Sequence, residues 1–145
     1  MYKHILLPTD GSALSREAVR TAAKLAKNLK AKVTAIHVME PWDPPASVEA
    51  AAFQLPRIMV EYERTLRANA KEVLAQVASD VEAPCETVAV FDRHPWEAIV
   101  KTAASRKCDV IVMASHGRKG LAKLLLGSET QKVLTHAKIP VLVCR

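Results

Sequence analysis

Asp109-Val110-Ile111-Val112-Met113 leads into Ala114-Ser115-His116-Gly117-Arg118-Lys119-Gly120-Leu121-Ala122-Lys123-Leu124-Leu125-Leu126-Gly127-Ser128, and Glu129-Thr130-Gln131-Lys132-Val133-Leu134 follows. The first segment reads as a strand buried on both faces, the last as a helix, and the middle as a glycine-bearing loop. Three of the four glycines of this 145-residue chain, Gly117, Gly120 and Gly127, fall in that loop. Average usage is about 7%, so the chain concentrates its scarce glycine at one place. A glycine loop leaving a strand and entering a helix is how α/β proteins hold phosphate. Glycine lets backbone N–H groups approach the anion, and the helix N-terminus adds partial positive charge. The candidate cradle is the backbone near Gly117 and across Gly127, Ser128, Glu129 and Thr130. The Ser128 hydroxyl can donate to a phosphate oxygen or ligate a metal ion. The competing reading is a surface loop whose Arg118, Lys119 and Lys123 are simply solvated.

Working outward, the fourth glycine marks a second strand-to-helix corner, His4-Ile5-Leu6-Leu7-Pro8-Thr9-Asp10-Gly11-Ser12, which carries an acid. Five β-type runs, at 4–8, 32–38, 86–90, 109–113 and 140–144, alternate with helical patterns at 13–29, 47–79, 95–106 and 127–136. In the first helix Leu14, Ala18, Ala22, Leu25, Ala26 and Leu29 form the apolar stripe, with Ser12 as N-cap. In the second, Leu55, Ile58, Tyr62, Leu66, Ala70, Val73 and Val77 point inward. Pro41-Trp42-Asp43-Pro44-Pro45 precedes it as a stiff linker, and Pro56 is expected to kink or split it near its start. Pro95 opens the third helix. Strand–helix alternation predicts an α/β fold: a five-stranded parallel sheet with right-handed crossovers and helices on both faces. With strand order 3-2-1-4-5, both corners meet at the switch point, at the carboxyl ends of strands 1 and 4.

The length predicts a single domain over 1–145. No apolar run approaches the ~18 residues of a membrane span, and Pro8 and Asp10 come too early for a secretory signal. The expectation is a cytoplasmic protein with no membrane partner. Cys85, Cys108 and Cys144 lie in or beside apolar stretches without paired spacing, and read as small buried thiols. The formal net charge of +6 permits anionic partners. The charges are spread over many helix faces and no aromatic-rich basic strand is present, so nucleic acid is disfavoured. The P-loop and the G-x-G-x-x-G dinucleotide fingerprint are both missing, and no His/Cys cluster has zinc spacing.

Individual side chains keep alternatives open. Asp10 either faces a ligand or caps the first helix. Ser128 can cap the last helix and bind phosphate at once. His116 has no Ser or Cys nucleophile assigned to it by sequence. His37 and His94 are isolated and read as structural, and His136 suits the carboxyl end of its helix. Trp96 opens the third helix as an exposed-looking aromatic. No catalytic residue is assigned, and the pattern favours a nucleotide binder over a nucleotide hydrolase. Pro140-Val141-Leu142-Val143-Cys144 reads as an apolar edge strand, which invites pairing with a second chain.

Two marks together resemble the universal stress protein family. One is Ile5-Leu6-Leu7-Pro8-Thr9-Asp10-Gly11-Ser12. The other is Met113-Ala114-Ser115-His116-Gly117 through Gly127-Ser128, followed by Ile139-Pro140-Val141-Leu142-Val143. The resemblance covers the whole chain and implies a Rossmann-like fold of the adenine nucleotide alpha hydrolase kind. It also implies ATP, or ADP or AMP, as ligand, with Mg²⁺ or Mn²⁺ bridging the phosphates. By this resemblance Asp10 contacts ribose hydroxyls or acts through a metal ion, and Pro8 and Thr9 line the pocket. Val38 presents its backbone to the adenine edge, and Met113 and Ala114 lie under the ribose. Gly117, Gly127, Ser128 and Thr130 hold phosphates. The ATP-binding branch of the family has glycine where this chain has Ala114. The extra methyl is expected to weaken affinity rather than abolish it. The resemblance further implies a homodimer through the last strand, and a stress-response role exerted through nucleotide-dependent conformation or partner binding. Two alternatives stay open: a slow ATPase or self-phosphorylating enzyme, and a nucleotide-independent partner module.

Overall fold

The computed structural model describes residues 1–44, 54–116 and 126–145. Strand β1 (His4–Pro8) is followed by α1 (Ala13–Leu29), β2 (Lys32–Met39), α2 (Leu55–Asp80), β3 (Cys85–Phe91), α3 (Pro95–Ser105), β4 (Val110–Ala114), α4 (Ser128–His136) and β5 (Val141–Cys144). The strands form one sheet in the order β3-β2-β1-β4-β5, and every neighbouring pair is parallel. The architecture and strand order are those the sequence predicts.

Alternation along the central strands sorts side chains to two cores. Ile5, Leu7, Val110 and Val112 face α1 and α2, where Ala18, Ala22, Ala26, Leu74 and Val77 meet them. Leu6, Ile111 and Met113 point to the other side, against Ile99, Ala103 and Val133 of α3 and α4. Burial on both faces is why β1 and β4 carry no polar alternation. The small alanines of α1 let that helix approach the sheet closely.

Four details depart from the sequence reading. The second helix begins at Leu55 with Pro56 in its first turn, so Pro56 starts the helix instead of kinking it. The expected earlier part, 47–53, lies outside the described residues. Only the carboxyl half of α2 is buried, through Ala70, Leu74 and Val77, while Ile58 and Tyr62 stand exposed. Leu14 is likewise 43% exposed, because it sits in the first turn of α1. Finally, β4 begins one residue late. The Asp109 N–H still donates to His4 O at 2.9 Å, and its carboxylate accepts from the Lys3 and His4 N–H groups at 2.8 and 3.1 Å, tying down the start of β1.

Scarce glycine leaves a mark at two helix ends. Lys30 and Lys107 both have φ 54°, in the left-handed region. Each sits in a Schellman turn. Ala31 N–H donates to Ala26 O and Lys30 N–H to Lys27 O after α1; Cys108 N–H donates to Ala103 O and Lys107 N–H to Ala104 O after α3. A basic side chain suits a helix carboxyl end, yet its Cβ costs about 1–2 kcal/mol in this conformation. Lys30→Gly is therefore expected to raise stability by about 0.5–1 kcal/mol, after the greater chain entropy that glycine loses is deducted. Chemical denaturation with an unchanged m-value is the check.

His4 is buried, with Nε2 at 2.8 Å from Thr34 Oγ1. Burial lowers its pKa from the ordinary 6.5, and the Lys32 charge pushes the same way, against the opposing Asp109 carboxylate. The folded state thus binds the proton less readily than the unfolded one. The stability His4 contributes is present above the unfolded pKa and is lost as pH falls through the lowered folded value. Melting curves between pH 8 and 5 should show a steeper loss for the wild type than for His4→Gln.

Candidate functional site

β1 and β4 are neighbours at the centre of the sheet, paired at Ile5↔Val110 and Leu6↔Ile111. The strands run on past the last pair to Pro8 and Ala114, and they part there. Beyond β1 the chain turns toward α1 on one face; beyond β4 it reaches α4 on the other. That is the switch-point crevice of a doubly wound sheet.

The first corner is held by a relay of short polar contacts. Thr9 is buried and its N–H donates to Ile36 O at 2.9 Å, extending β1 against β2. Gly11 N–H donates to Thr9 Oγ1, Thr9 Oγ1 to Ser15 Oγ, and Ser15 Oγ to Ser12 O, at 3.3, 3.2 and 2.8 Å. Gly11 has φ 78°, a conformation that needs glycine. The N-cap of α1 is Ser12, whose hydroxyl accepts from Ser15 N–H at 3.2 Å. Asp10 therefore does not cap the helix. Its Oδ1 accepts from Ser12 N–H at 2.9 Å, an Asx turn at the mouth of the crevice.

The second corner is pinned to the end of β4. Gly127 N–H donates to Ser115 O at 2.8 Å, and the buried Thr130 donates its hydroxyl to Ala114 O at 3.1 Å. A Cβ on Gly127 would sit 3.2 Å from Ser115 O and 3.4 Å from His116 Cα, so glycine permits this close approach. Gly127 is also the N-cap of α4 and supplies no side-chain cap. The first-turn N–H groups, of Ser128, Glu129 and Thr130, have no i−4 carbonyl within the helix to bond. The Gly127 N–H is already engaged, which moves the available donors one residue onward from the cradle read in the sequence.

Pro8, Thr9 and Asp10 thus end β1, Met113 and Ala114 end β4, and Gly127, Ser128, Glu129 and Thr130 begin α4 beside them. Val38 lies one strand over, next to the last residue of β2. Gly117 lies outside the described residues, as do Arg118, Lys119, Gly120 and Lys123. The Glu129 side chain is a structural tie. Its carboxylate accepts from Trp96 N–H at 2.8 Å, joining the start of α4 to the start of α3. Trp96 stacks on His136 with ring centroids 4.3 Å apart, so the aromatic packs within the fold.

Two contributors escaped the sequence reading. His37, read there as isolated, donates from Nδ1 to Thr9 O at 2.9 Å and fixes the carbonyl that precedes Asp10. A histidine inside the apolar run Ile36-His37-Val38, near the carboxyl end of a strand, was the available signal. Ser115 is buried, with Oγ 3.1 Å from His116 Nδ1, while His116 Nε2 is buried without a partner among the described residues. All three cysteines are free, but only Cys108 is buried as the sequence reading had it. Cys85 and Cys144 are half-buried, because β3 and β5 are the edge strands, and burial together with the Asp109 charge pushes Cys108 up to about 11. Among the described residues no group of three His, Cys, Asp or Glu stands together, and no helix is long and apolar enough to cross a membrane.

Comparison with known proteins gives a consistent picture. The family model described as "Universal stress protein family" matches residues 1–145. Universal stress protein MJ0531 of Methanocaldococcus jannaschii is 33% identical, the alignment covering all of this chain and 83% of that one. The solved structure of MJ0577, from the same organism, superposes with a TM-score of 0.82 at 31% identity, covering 99% of this chain and 95% of that one. A universal stress protein solved in complex with cAMP superposes with a TM-score of 0.67 at 24% identity, covering 99% and 97%. At that identity the likeness extends to the fold.

Proposed function

The chain belongs to the universal stress protein family, and from that premise we propose that it binds an adenine nucleotide, ATP in the first instance, in the crevice between β1 and β4. The observation that carries the reading is the pinning of α4. Gly127 and Thr130 hold an uncapped helix N-terminus against the end of β4, across from the Asp10 corner. Phosphate charge fits such an end, where the helix contributes roughly half a positive charge. In this reading Pro8, Thr9 and Asp10 line the ribose side, Met113 and Ala114 lie beneath it, and Val38 borders the adenine. Gly117 and the backbone N–H groups of Ser128, Glu129 and Thr130 face the phosphates, beside Gly127, whose own N–H is held by Ser115 O. Glu129 and Thr130 contribute through main chain, because both side chains are engaged elsewhere. The cAMP complex of a family member supports an adenine nucleotide as the ligand class.

A bridging Mg²⁺ or Mn²⁺ fits this donor set only if phosphate oxygens and water supply most of its ligands, with Asp10 or the Ser128 hydroxyl completing them. The apolar edge is consistent with a homodimer through β5, where Leu142 is 42% exposed. In this proposal the protein acts in stress response by nucleotide-dependent conformation or partner choice, within one domain.

The test is native purification, followed by denaturation and nucleotide analysis of the supernatant. The emptied protein is then titrated with ATP, ADP and AMP, with and without Mg²⁺. Bound or saturable adenine nucleotide is the expected result. A protein that is empty and titrates with none of the three defeats the proposal and leaves a nucleotide-independent partner module. Turnover above a mock preparation, lost in Ser128→Ala, would instead make the protein an enzyme.

A further inference from the structure

On the opposite, amino-terminal side of the sheet, a cavity of about 300 Å³ opens between the end of α3 and the turn from α4 into β5. Its floor is the buried Ala103, Cys108 and Ile111, and Val100 and Ile139 form its sides. The space exists because α3 carries alanine at its carboxyl end and turns away sharply at Lys107, while a short link joins α4 to β5. Three lysines, Lys101, Lys107 and Lys138, complete the lining.

We infer that this cavity binds a medium-chain fatty-acid carboxylate, apolar chain inward and carboxylate among the lysines. The volume is at the lower end of small-molecule pockets, and at roughly 30 Å³ per water-sized group it accepts a chain of about eight to ten carbons. The charge at the mouth suits a monoanion. Lys101 is paired with Glu97 at 3.2 Å, whereas Lys107 and Lys138 have no ion-pair partner among the described residues. The carboxyl ends of α3 and α4 contribute roughly half a negative charge each, so an excess of about one positive charge remains. Negative charge does reach the floor, from the Asp109 and Glu86 carboxylates, and the Lys32 and Arg106 charges oppose it. The Cys108 thiol is held neutral by burial, and the ionised Asp109 carboxylate is turned toward the Lys3 and His4 N–H groups at the start of β1. Long lysine stems also extend the apolar wall while their ammonium groups stay in water.

The experiment titrates the full chain with octanoate, octanol and octylammonium, followed by calorimetry and amide NMR shifts. Octanoate is expected to saturate one site, shift Ala103, Cys108 and Ile139, and bind about tenfold more tightly than octanol. Lys107→Gln with Lys138→Gln should weaken octanoate by about tenfold while leaving octanol binding in place and lowering the melting temperature by no more than about 5 °C. Ala104→Phe, narrowing the mouth, should weaken both. No saturable octanoate binding, equal binding of octanol, or octanoate binding unaffected by either variant overturns the proposal. So does dissociation of a self-associated form by octanoate, which would assign the cavity to a second copy.

Discussion

Asp10→Ala is expected to weaken the proposed ATP binding by about 10- to 150-fold, the range for a charged group that loses a hydrogen bond to its ligand of about 1.5–3 kcal/mol. Asp10 stands at the carboxyl end of β1, with Oδ1 accepting from Ser12 N–H, and the cap of α1 belongs to Ser12. The variant therefore removes the Asx turn and the proposed ligand contact but not the helix cap. Asp10→Asn separates the two: its amide oxygen can still accept from Ser12 N–H, while the negative charge is gone. If the carboxylate serves the ribose or a metal ion, Asp10→Asn loses most of the affinity that Asp10→Ala loses. Isothermal titration of both variants, alongside melting curves, makes the comparison. Wild-type affinity in both would reduce Asp10 to a turn residue and remove the acid from the site.

Leu6→Ala gives the largest loss of stability. Leu6 is fully buried on β1, the central strand, and packs with Ile36, Ile111 and Val133 in the core under α3 and α4. Deleting its branched end costs about 2–5 kcal/mol in transfer and cavity terms. At roughly 2–4 °C per kcal/mol for a domain of this size, the melting temperature falls by about 10 °C. Leu14→Ala is the matched control. With Leu14 at 43% exposure, its loss should stay within about 1 kcal/mol. A similar drop in both would mean that the burial of β1 on two faces is not what holds the sheet.

Ile5-Leu6-Leu7 and Val110-Ile111-Val112-Met113 announced a covered parallel sheet because a strand buried on both sides has no polar position to spare. The strand order was not legible in the residues alone: the two corners share a crevice only if β1 lies beside β4, and that order came with the family resemblance before the sheet bore it out. The burial of α2 was less legible. Ile58 and Tyr62 keep the same helical spacing as Ala70 and Val77, and periodicity does not say where the sheet beneath ends. In the site, the types of Asp10, Gly127 and Ser128 could be read directly, but their engagements could not. Glu129 meets Trp96 across 33 residues of chain, and Thr9 meets Ser15 through a relay set by helix geometry. Those partners are decided by tertiary contact, which local pattern does not encode.

Ser115 N–H donates to Cys144 O at 2.7 Å, while Ser115 O receives Gly127 N–H. One residue thus touches both the last residue of the edge strand and the start of α4. If nucleotide orders the second corner and a second chain extends β5, the two events share this link as common ground. Reciprocity then governs them: whatever factor ATP applies to the self-association constant, self-association applies to the affinity for ATP. The protein's sensitivity to nucleotide would accordingly rise or fall with its own concentration in the cell.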